Sequence, residues 1–93
     1  MHRSLSYIDP QAKLAKNVVV GPFVTIEKNV EIGSGTWIGS NVTIMDGARI
    51  GKNCEIFPGA DITAIPQDKK FLGEESLVII NDNTIIRECA TIN

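Results

Sequence analysis

A chain of 93 residues has room for one domain built on one hydrophobic core. Nine Lys and Arg against eleven Asp and Glu leave a net charge of −2, so nucleic acid is excluded as the main partner for want of a basic surface. One His excludes a His-rich metal centre within the chain, and two Cys are too few for a disulfide-stapled scaffold. No apolar run approaches the roughly 18–20 residues of a membrane span, and Met1-His2-Arg3-Ser4 leads into no signal-peptide core.

Taken in chain order, the predicted elements are short and evenly spaced. Steps of six from Ile8 reach Leu14, Val20, Ile26, Ile32, Ile38, Ile44, Ile50, Ile56 and Ile62, all aliphatic. With 43% apolar residues, ten such positions in a row arise by chance about twice in ten thousand trials, so the repeat is real. Two positions before each aliphatic, from Leu14 onward, stand modest side chains: Ala12, Val18, Val24, Val30, Thr36, Val42, Ala48, Cys54 and Ala60. Three positions after stand Gln11, Asn17, Phe23, Asn29, Gly35, Asn41, Gly47, Asn53 and Gly59. Seven of these nine are Asn or Gly, the residues that best tolerate positive φ. Gly21, Gly33, Gly39 and Gly51 directly follow an aliphatic.

This pattern predicts a two-residue strand with one aliphatic turned inward, then a tight corner, then the next strand. A period of six is not helical, and it is shorter than the roughly 8–12 residues at which sandwich strands recur. It suits one side of a parallel β-helix whose coils stack at about 4.8 Å. Three sides make a triangular coil. Ile8, Ile26, Ile44 and Ile62 then stack along one side; Leu14, Ile32 and Ile50 along the second; Val20, Ile38 and Ile56 along the third.

The repeat breaks after Ile62 and returns at Ile80, Ile86 and Ile92. The intervening segment holds Pro66, Gly73 and five charged residues, Asp68, Lys69, Lys70, Glu74 and Glu75. One irregular coil would put Asp68 and Glu74 into the Ile stack, where burial is costly. A projecting loop over about 63–78, on a single domain spanning 1–93, is the expectation, and loops on rigid scaffolds are where function concentrates.

Pro66-Gln67-Asp68-Lys69-Lys70-Phe71-Leu72-Gly73-Glu74 resembles the Q-D-x-K-[FY]-x-G-E segment of the UDP-N-acetylglucosamine O-acyltransferases of lipid A synthesis. Ile86-Arg87-Glu88-Cys89-Ala90-Thr91-Ile92 is similar to that family's I-R-E-x-x-T-I segment, and Tyr7-Ile8-Asp9-Pro10-Gln11-Ala12 to its first coil. The resemblance covers nearly the whole chain. It implies an all-β fold, a left-handed parallel β-helix of triangular hexapeptide-repeat coils with one projecting loop. Handedness comes from the resemblance alone, because the general crossover preference is right-handed.

The resemblance also implies an activity: transfer of a 3-hydroxyacyl group from acyl carrier protein to the 3-hydroxyl of UDP-N-acetylglucosamine. It implies a cytoplasmic homotrimer with sites between subunits, no cofactor, and substrate contacts from Gln67, Asp68 and Lys70. The chemistry suits those residues: a carboxylate accepts from a hydroxyl, an amide donates and accepts, and an ammonium meets phosphate. The family's general base is a histidine in a coil beyond the I-R-E segment. Here Asn93 stands where relatives often carry a histidine, and His2 lies outside the repeat. The expectation is therefore the amino-terminal part of an acyltransferase, inactive as 93 residues, with no catalytic residue of its own.

Two other classes stand beside this one: a superfamily acetyltransferase using acetyl-CoA, and a non-catalytic structural or assembly β-helix. Carbonic anhydrases of this fold need three His ligands, and ice-binding β-helices need regular Thr arrays; neither pattern is present. Cys54 falls on a core phase and is expected to be a buried, inert thiol. Cys89 falls on a turn phase. Trp37 is expected to point outward, towards solvent or a neighbouring subunit, and Arg87 and Glu88 to pair across an interface or remain solvated.

Overall fold

The computed structural model describes residues 5–63, 77–88 and 91–92, the last two by backbone alone. Within them run thirteen strands: β1 (Tyr7–Ile8), β2 (Lys13–Leu14), β3 (Val19–Val20), β4 (Thr25–Ile26), β5 (Glu31–Ile32), β6 (Trp37–Ile38), β7 (Thr43–Ile44), β8 (Ala48–Ile50), β9 (Glu55–Ile56), β10 (Asp61–Ile62), β11 (Val78–Ile80), β12 (Ile85–Ile86) and β13 (Thr91–Ile92). They form three parallel sheets, ordered β1-β4-β7-β10-β13, β2-β5-β8-β11 and β3-β6-β9-β12. Every third strand is thus a neighbour, the topology of a three-sided β-helix.

The predicted stacks are the observed register. Ile8 faces Ile26, Ile26 faces Ile44, and Ile44 faces Ile62 on the first side. Leu14, Ile32 and Ile50 align on the second, and Val20, Ile38 and Ile56 on the third. Ile26, Ile38, Ile44, Ile56 and Ile62 are wholly buried. Full burial of such a side chain stabilises by about 1.5–3 kcal/mol, and the gain repeats with every coil. The modest phase completes the core: Val24, Val42, Ala48 and Cys54 are also wholly buried. Thr36 is the buried polar side chain among the described residues. Its hydroxyl donates to the Gly51 carbonyl at 2.8 Å and accepts the Cys54 N–H at 3.2 Å, so it bridges two coils without an unsatisfied group.

After Ile62 the register lengthens. Ile80 faces Ile50 and Ile92 faces Ile62, each separated by thirty residues where the earlier pairs are eighteen apart. Twelve additional residues therefore enter at the corner between β10 and β11.

The corners are mostly as expected, with two exchanges. Asn17, Gly35, Asn41, Gly47, Asn53 and Gly59 take positive φ, and Asn83 continues the series after the break. Asn29 does not, whereas Phe23 does, at φ 60°. Phe23 shares its corner column with Asn41 and Gly59, so the column geometry outweighs the cost of about 1–2 kcal/mol for a residue with a Cβ. Gly33 meets a different constraint: a Cβ there would lie 2.7 Å from the carbonyl carbon of Gly51 in the next coil.

Ile44→Asp places an unpaired charge in the middle of a stack that has no room for water. The expected result is loss of the cooperative melt and of the native circular dichroism spectrum, a penalty above about 4 kcal/mol. A native-like melting curve for that variant is incompatible with the register described above.

Candidate functional site

The three residues singled out by sequence, Gln67, Asp68 and Lys70, lie outside the described residues, as do Cys89 and His2. The structure describes the rim to which their segment is attached. The chain leaves β10 at Thr63, whose hydroxyl donates to Asp61 Oδ1 at 3.1 Å. It re-enters through exposed Leu77 to β11, where Val78 N–H donates to the Gly47 carbonyl at 2.9 Å. The segment thus departs from and returns to one corner column, that of residues 9–12, 27–30 and 45–48.

In the other two columns backbone bonds span the corner: Asn41 N–H donates to Pro22 O at 3.1 Å, Asn53 N–H to Ser34 O at 2.9 Å, and Asn83 N–H to Lys52 O at 2.8 Å. At the last of these Asp82 Oδ1 also accepts the Lys52 N–H, at 2.7 Å. In the column of the departing segment side chains take part as well. Asp46 Oδ1 accepts the Asn29 N–H at 3.2 Å. Arg49 donates from Nη1 to the Asn29 carbonyl at 2.8 Å and from Nη2 to Asn29 Oδ1 at 2.9 Å. Gly47 N–H also donates to the Asn29 carbonyl, at 2.9 Å. Sequence reading placed Asn29 among the αL residues; these bonds explain why it adopts another conformation.

The sheet that follows this corner carries Lys13, Glu31, Arg49 and Ile79 in one outward row. Glu31 Oε2 lies 3.7 Å from Arg49 Nε, and both side chains are partly exposed, so the pair contributes less than about 1 kcal/mol. A shallow groove crosses the row, lined among others by Leu14, Gly33, Arg49, Ile79 and Asp82.

The third sheet presents a different outer surface. Val19, Trp37 and Ile85 stand exposed on β3, β6 and β12. Trp37 meets Phe57 edge-on, with ring centroids 5.8 Å apart, and the Arg87 guanidinium carbon lies 5.1 Å from the Phe57 ring centre. The outward direction expected of Trp37 is observed. For Arg87, where sequence weighed only Glu88 or solvent, the structure supplies an aromatic face.

Cys54 is wholly buried, and its thiol donates to the Asn81 carbonyl at 3.2 Å. Tyr7 Oη donates to Asp9 Oδ2 at 3.0 Å, and that hydrogen bond, then the Asp9 charge, holds the phenol above its ordinary pKa. Among the described residues no three His, Cys, Asp or Glu side chains gather as a metal site, and no helix is long and apolar enough to cross a membrane.

A family model described as the GMPPB C-terminal domain matches residues 3–93. The chain belongs to the GMPPB C-terminal domain family. It is similar to the acyl-[acyl-carrier-protein]–UDP-N-acetylglucosamine O-acyltransferases of Janthinobacterium sp. (strain Marseille) and Paracidovorax citrulli, at 56% identity over 86 and 90 residues. These alignments take in 92% and 97% of the chain, which spans about a third of the length of either relative, 33% and 34%. A crystal structure of a UDP-N-acetylglucosamine acyltransferase from Bacteroides fragilis 9343 superposes on all of the chain with a TM-score of 0.89 at 54% identity, over 36% of its own length. The Francisella novicida enzyme gives 0.86 at 49%, over 98% of this chain and 33% of its own. The sequence resemblance named the same acyltransferases.

Sequence reading missed the side-chain corner of this family member. Its one available signal was Arg49 in the outward phase, eighteen residues after Glu31. For Cys54 the expected outcome is direct: iodoacetamide leaves it unmodified in the native protein and alkylates it in denaturant. Peptide mapping by mass spectrometry reads this, and rapid native alkylation of Cys54 contradicts the core placement.

Proposed function

We propose that this β-helix supplies the amino-terminal coils and the substrate-binding segment of an acyltransferase. The enzyme moves a 3-hydroxyacyl group from acyl carrier protein to the 3-hydroxyl of UDP-N-acetylglucosamine. The observation that carries the reading is the 54% identity over the full chain with the Bacteroides fragilis acyltransferase, at a TM-score of 0.89. The register supports it: the twelve additional residues enter the corner where the Gln67-Asp68-Lys69-Lys70 run falls.

In this reading the sugar hydroxyl oxygen attacks the thioester carbonyl carbon, the carbon–sulfur bond breaks, and the carrier thiol leaves. The hydroxyl proton passes to a general base and on to the thiolate. On the resemblance, that base is a histidine in the coils that follow the I-R-E segment in relatives. Asp68 holds the acyl 3-hydroxyl, Gln67 donates to and accepts from the sugar nucleotide, and Lys70 meets phosphate or phosphopantetheine charge. These are binding roles, so they affect rate through position and discrimination.

On this reading the partners are an acyl carrier protein and a nucleotide sugar, and the enzyme works in the cytoplasm. The assembly is a homotrimer with sites between subunits. Exposed Val19 and Trp37, adjacent in the outward row, support such an interface, with Glu55 and then Ile85 continuing the row, since exposed apolar side chains gain from being covered.

The test of the chemistry uses a full-length enzyme that carries these coils together with the following histidine-bearing coils, with 3-hydroxyacyl and unsubstituted acyl donors. Asp68→Ala is expected to lower kcat/KM for the hydroxylated donor far more than for the plain one, because a site built around a hydroxyl discriminates by leaving its partner unpaired. Equal losses for the two donors remove the hydroxyl-holding role, and absence of transfer by the unaltered protein removes the acyltransferase reading. For the assembly, Trp37→Glu is expected to leave circular dichroism unchanged and to reduce the mass seen by light scattering from trimer to monomer. A trimer that persists in Trp37→Glu rejects that face as the interface.

A further inference from the structure

We propose that Asp46 is a modification site whose own corner decides when the modification occurs. The Asp46 γ-carboxyl closes on the amide nitrogen of Gly47 to give a succinimide, which water opens to isoaspartate. In the folded chain both reacting groups are committed to Asn29, so the corner must open first. Neither group belongs to the proposed acyl-transfer site, and the proposal stands independently of it.

The sequence singles out this step. Closure brings the main-chain nitrogen after an aspartate onto that aspartate's own side chain, so any side chain on the following residue obstructs it. Of the five aspartates, Asp46 alone precedes a glycine. Asp9 precedes Pro10, which has no N–H, Asp61 precedes β-branched Ile62, and Asp68 and Asp82 precede Lys69 and Asn83. Asparagine deamidates through the same ring, yet no asparagine here precedes a glycine: Asn17, Asn29 and Asn41 are followed by Val18, Val30 and Val42. Gly47 is not free to change, because it takes φ 96°, where a Cβ is costly.

The structure supplies the gate. Asp46 is exposed, whereas Gly47 is buried. Asp46 Oδ1 accepts the Asn29 N–H at 3.2 Å, and Gly47 N–H donates to the Asn29 carbonyl at 2.9 Å. Arg49 fixes Asn29 in turn, from Nη1 to the same carbonyl at 2.8 Å and from Nη2 to Oδ1 at 2.9 Å. A buried nitrogen whose N–H is hydrogen-bonded cannot give up its proton as a new bond forms. Closure therefore waits on local opening, which costs less than unfolding the whole chain.

In closure a bond forms between Gly47 N and Asp46 Cγ, and the carboxyl hydroxyl leaves as water with the amide proton. In opening, water adds to a ring carbonyl. Addition at the Asp46 main-chain carbonyl breaks its bond to Gly47 N and routes the chain through Cγ. The main chain then gains one carbon before Gly47, which displaces the Gly47 bonds to Asn29 and to Val78, whose N–H donates to the Gly47 carbonyl at 2.9 Å.

The experiment incubates the chain in water enriched in oxygen-18 near neutral pH, native and in denaturant, beside Arg49→Met. Each cycle of closure and opening installs one solvent oxygen at residue 46, counted by mass spectrometry of the peptide that contains it. Amide hydrogen exchange at Gly47 is measured on the same native samples. In denaturant, label is expected to accumulate at Asp46 faster than at Asp61 or Asp82. In the native chain it is expected to slow by between about tenfold and a hundredfold, the range for two lost hydrogen bonds. Arg49→Met is expected to raise native labelling several-fold, in step with Gly47 exchange, and to leave the denatured rate unchanged. Labelling of Asp46 no faster than of Asp61 in denaturant overturns the site. Equal native and denatured rates overturn the gate, as does faster Gly47 exchange in Arg49→Met without faster labelling. Should Arg49→Met not fold, graded denaturant on the unaltered chain replaces it, and labelling that fails to rise with Gly47 exchange again overturns the gate.

Discussion

The inward aliphatic of each two-residue strand stacks on its equivalent one coil away, and the rest of the molecule depends on that alignment. A strand of two residues makes too few backbone bonds to stand alone. It persists because Ile26, Ile44 and Ile62, and their counterparts on the other two sides, exclude water from a common axis. Because side chains alternate across a strand, a slip of one residue would turn the aliphatics out and Thr25, Glu31 or Trp37 in. The register is therefore fixed by burial, and the corners must comply. Phe23 shows the direction of control: it adopts φ 60° at the demand of its column, although an aromatic residue gains nothing locally from that conformation.

A scaffold of this kind repeats the same surface at every coil, so specificity must come from departures. The corner between β10 and β11 is the principal one, with twelve residues more than a regular coil. The preceding corners prepare for it. At residues 27–30 and 45–48, the side chains of Asp46 and Arg49 add to the backbone bond from Gly47 N–H to the Asn29 carbonyl, and β8 and β11 are each a residue longer than most strands. The outward rows also differ by side: Lys13, Glu31 and Arg49 lead to Ile79 along β2, β5, β8 and β11, whereas Val19 and Trp37 lead to Glu55 and Ile85 along β3, β6, β9 and β12.

Much of this was legible because a β-helix translates sequence period into space almost directly. The ten-step series from Ile8 to Ile62 named the three stacks, and Cys54 was read as core by phase alone. Local chemistry was less dependable. Asn29 carried the composition of an αL corner and is not one, since its carbonyl and amide oxygen are committed to Arg49 and Gly47. Arg87 was read against Glu88, its neighbour in sequence, yet its guanidinium lies over Phe57, thirty residues earlier. Both exceptions arise from contacts between coils, which a one-dimensional phase does not encode. The candidate site rests on the Gln67, Asp68 and Lys70 motif, read from sequence, and on its rim, read from structure.

The sequence by itself determined the parallel β-helix, the inward stacks, the place where the repeat is interrupted and the likeness to acyltransferases. It could do so because hydrophobic burial at fixed period is a property of side-chain order. The tertiary structure alone decided that Asp46, Asn29 and Arg49 are joined at the corner where the additional residues enter. Those outcomes depend on hydrogen bonds between residues about eighteen or thirty apart, whose geometry exists only once the coils are stacked.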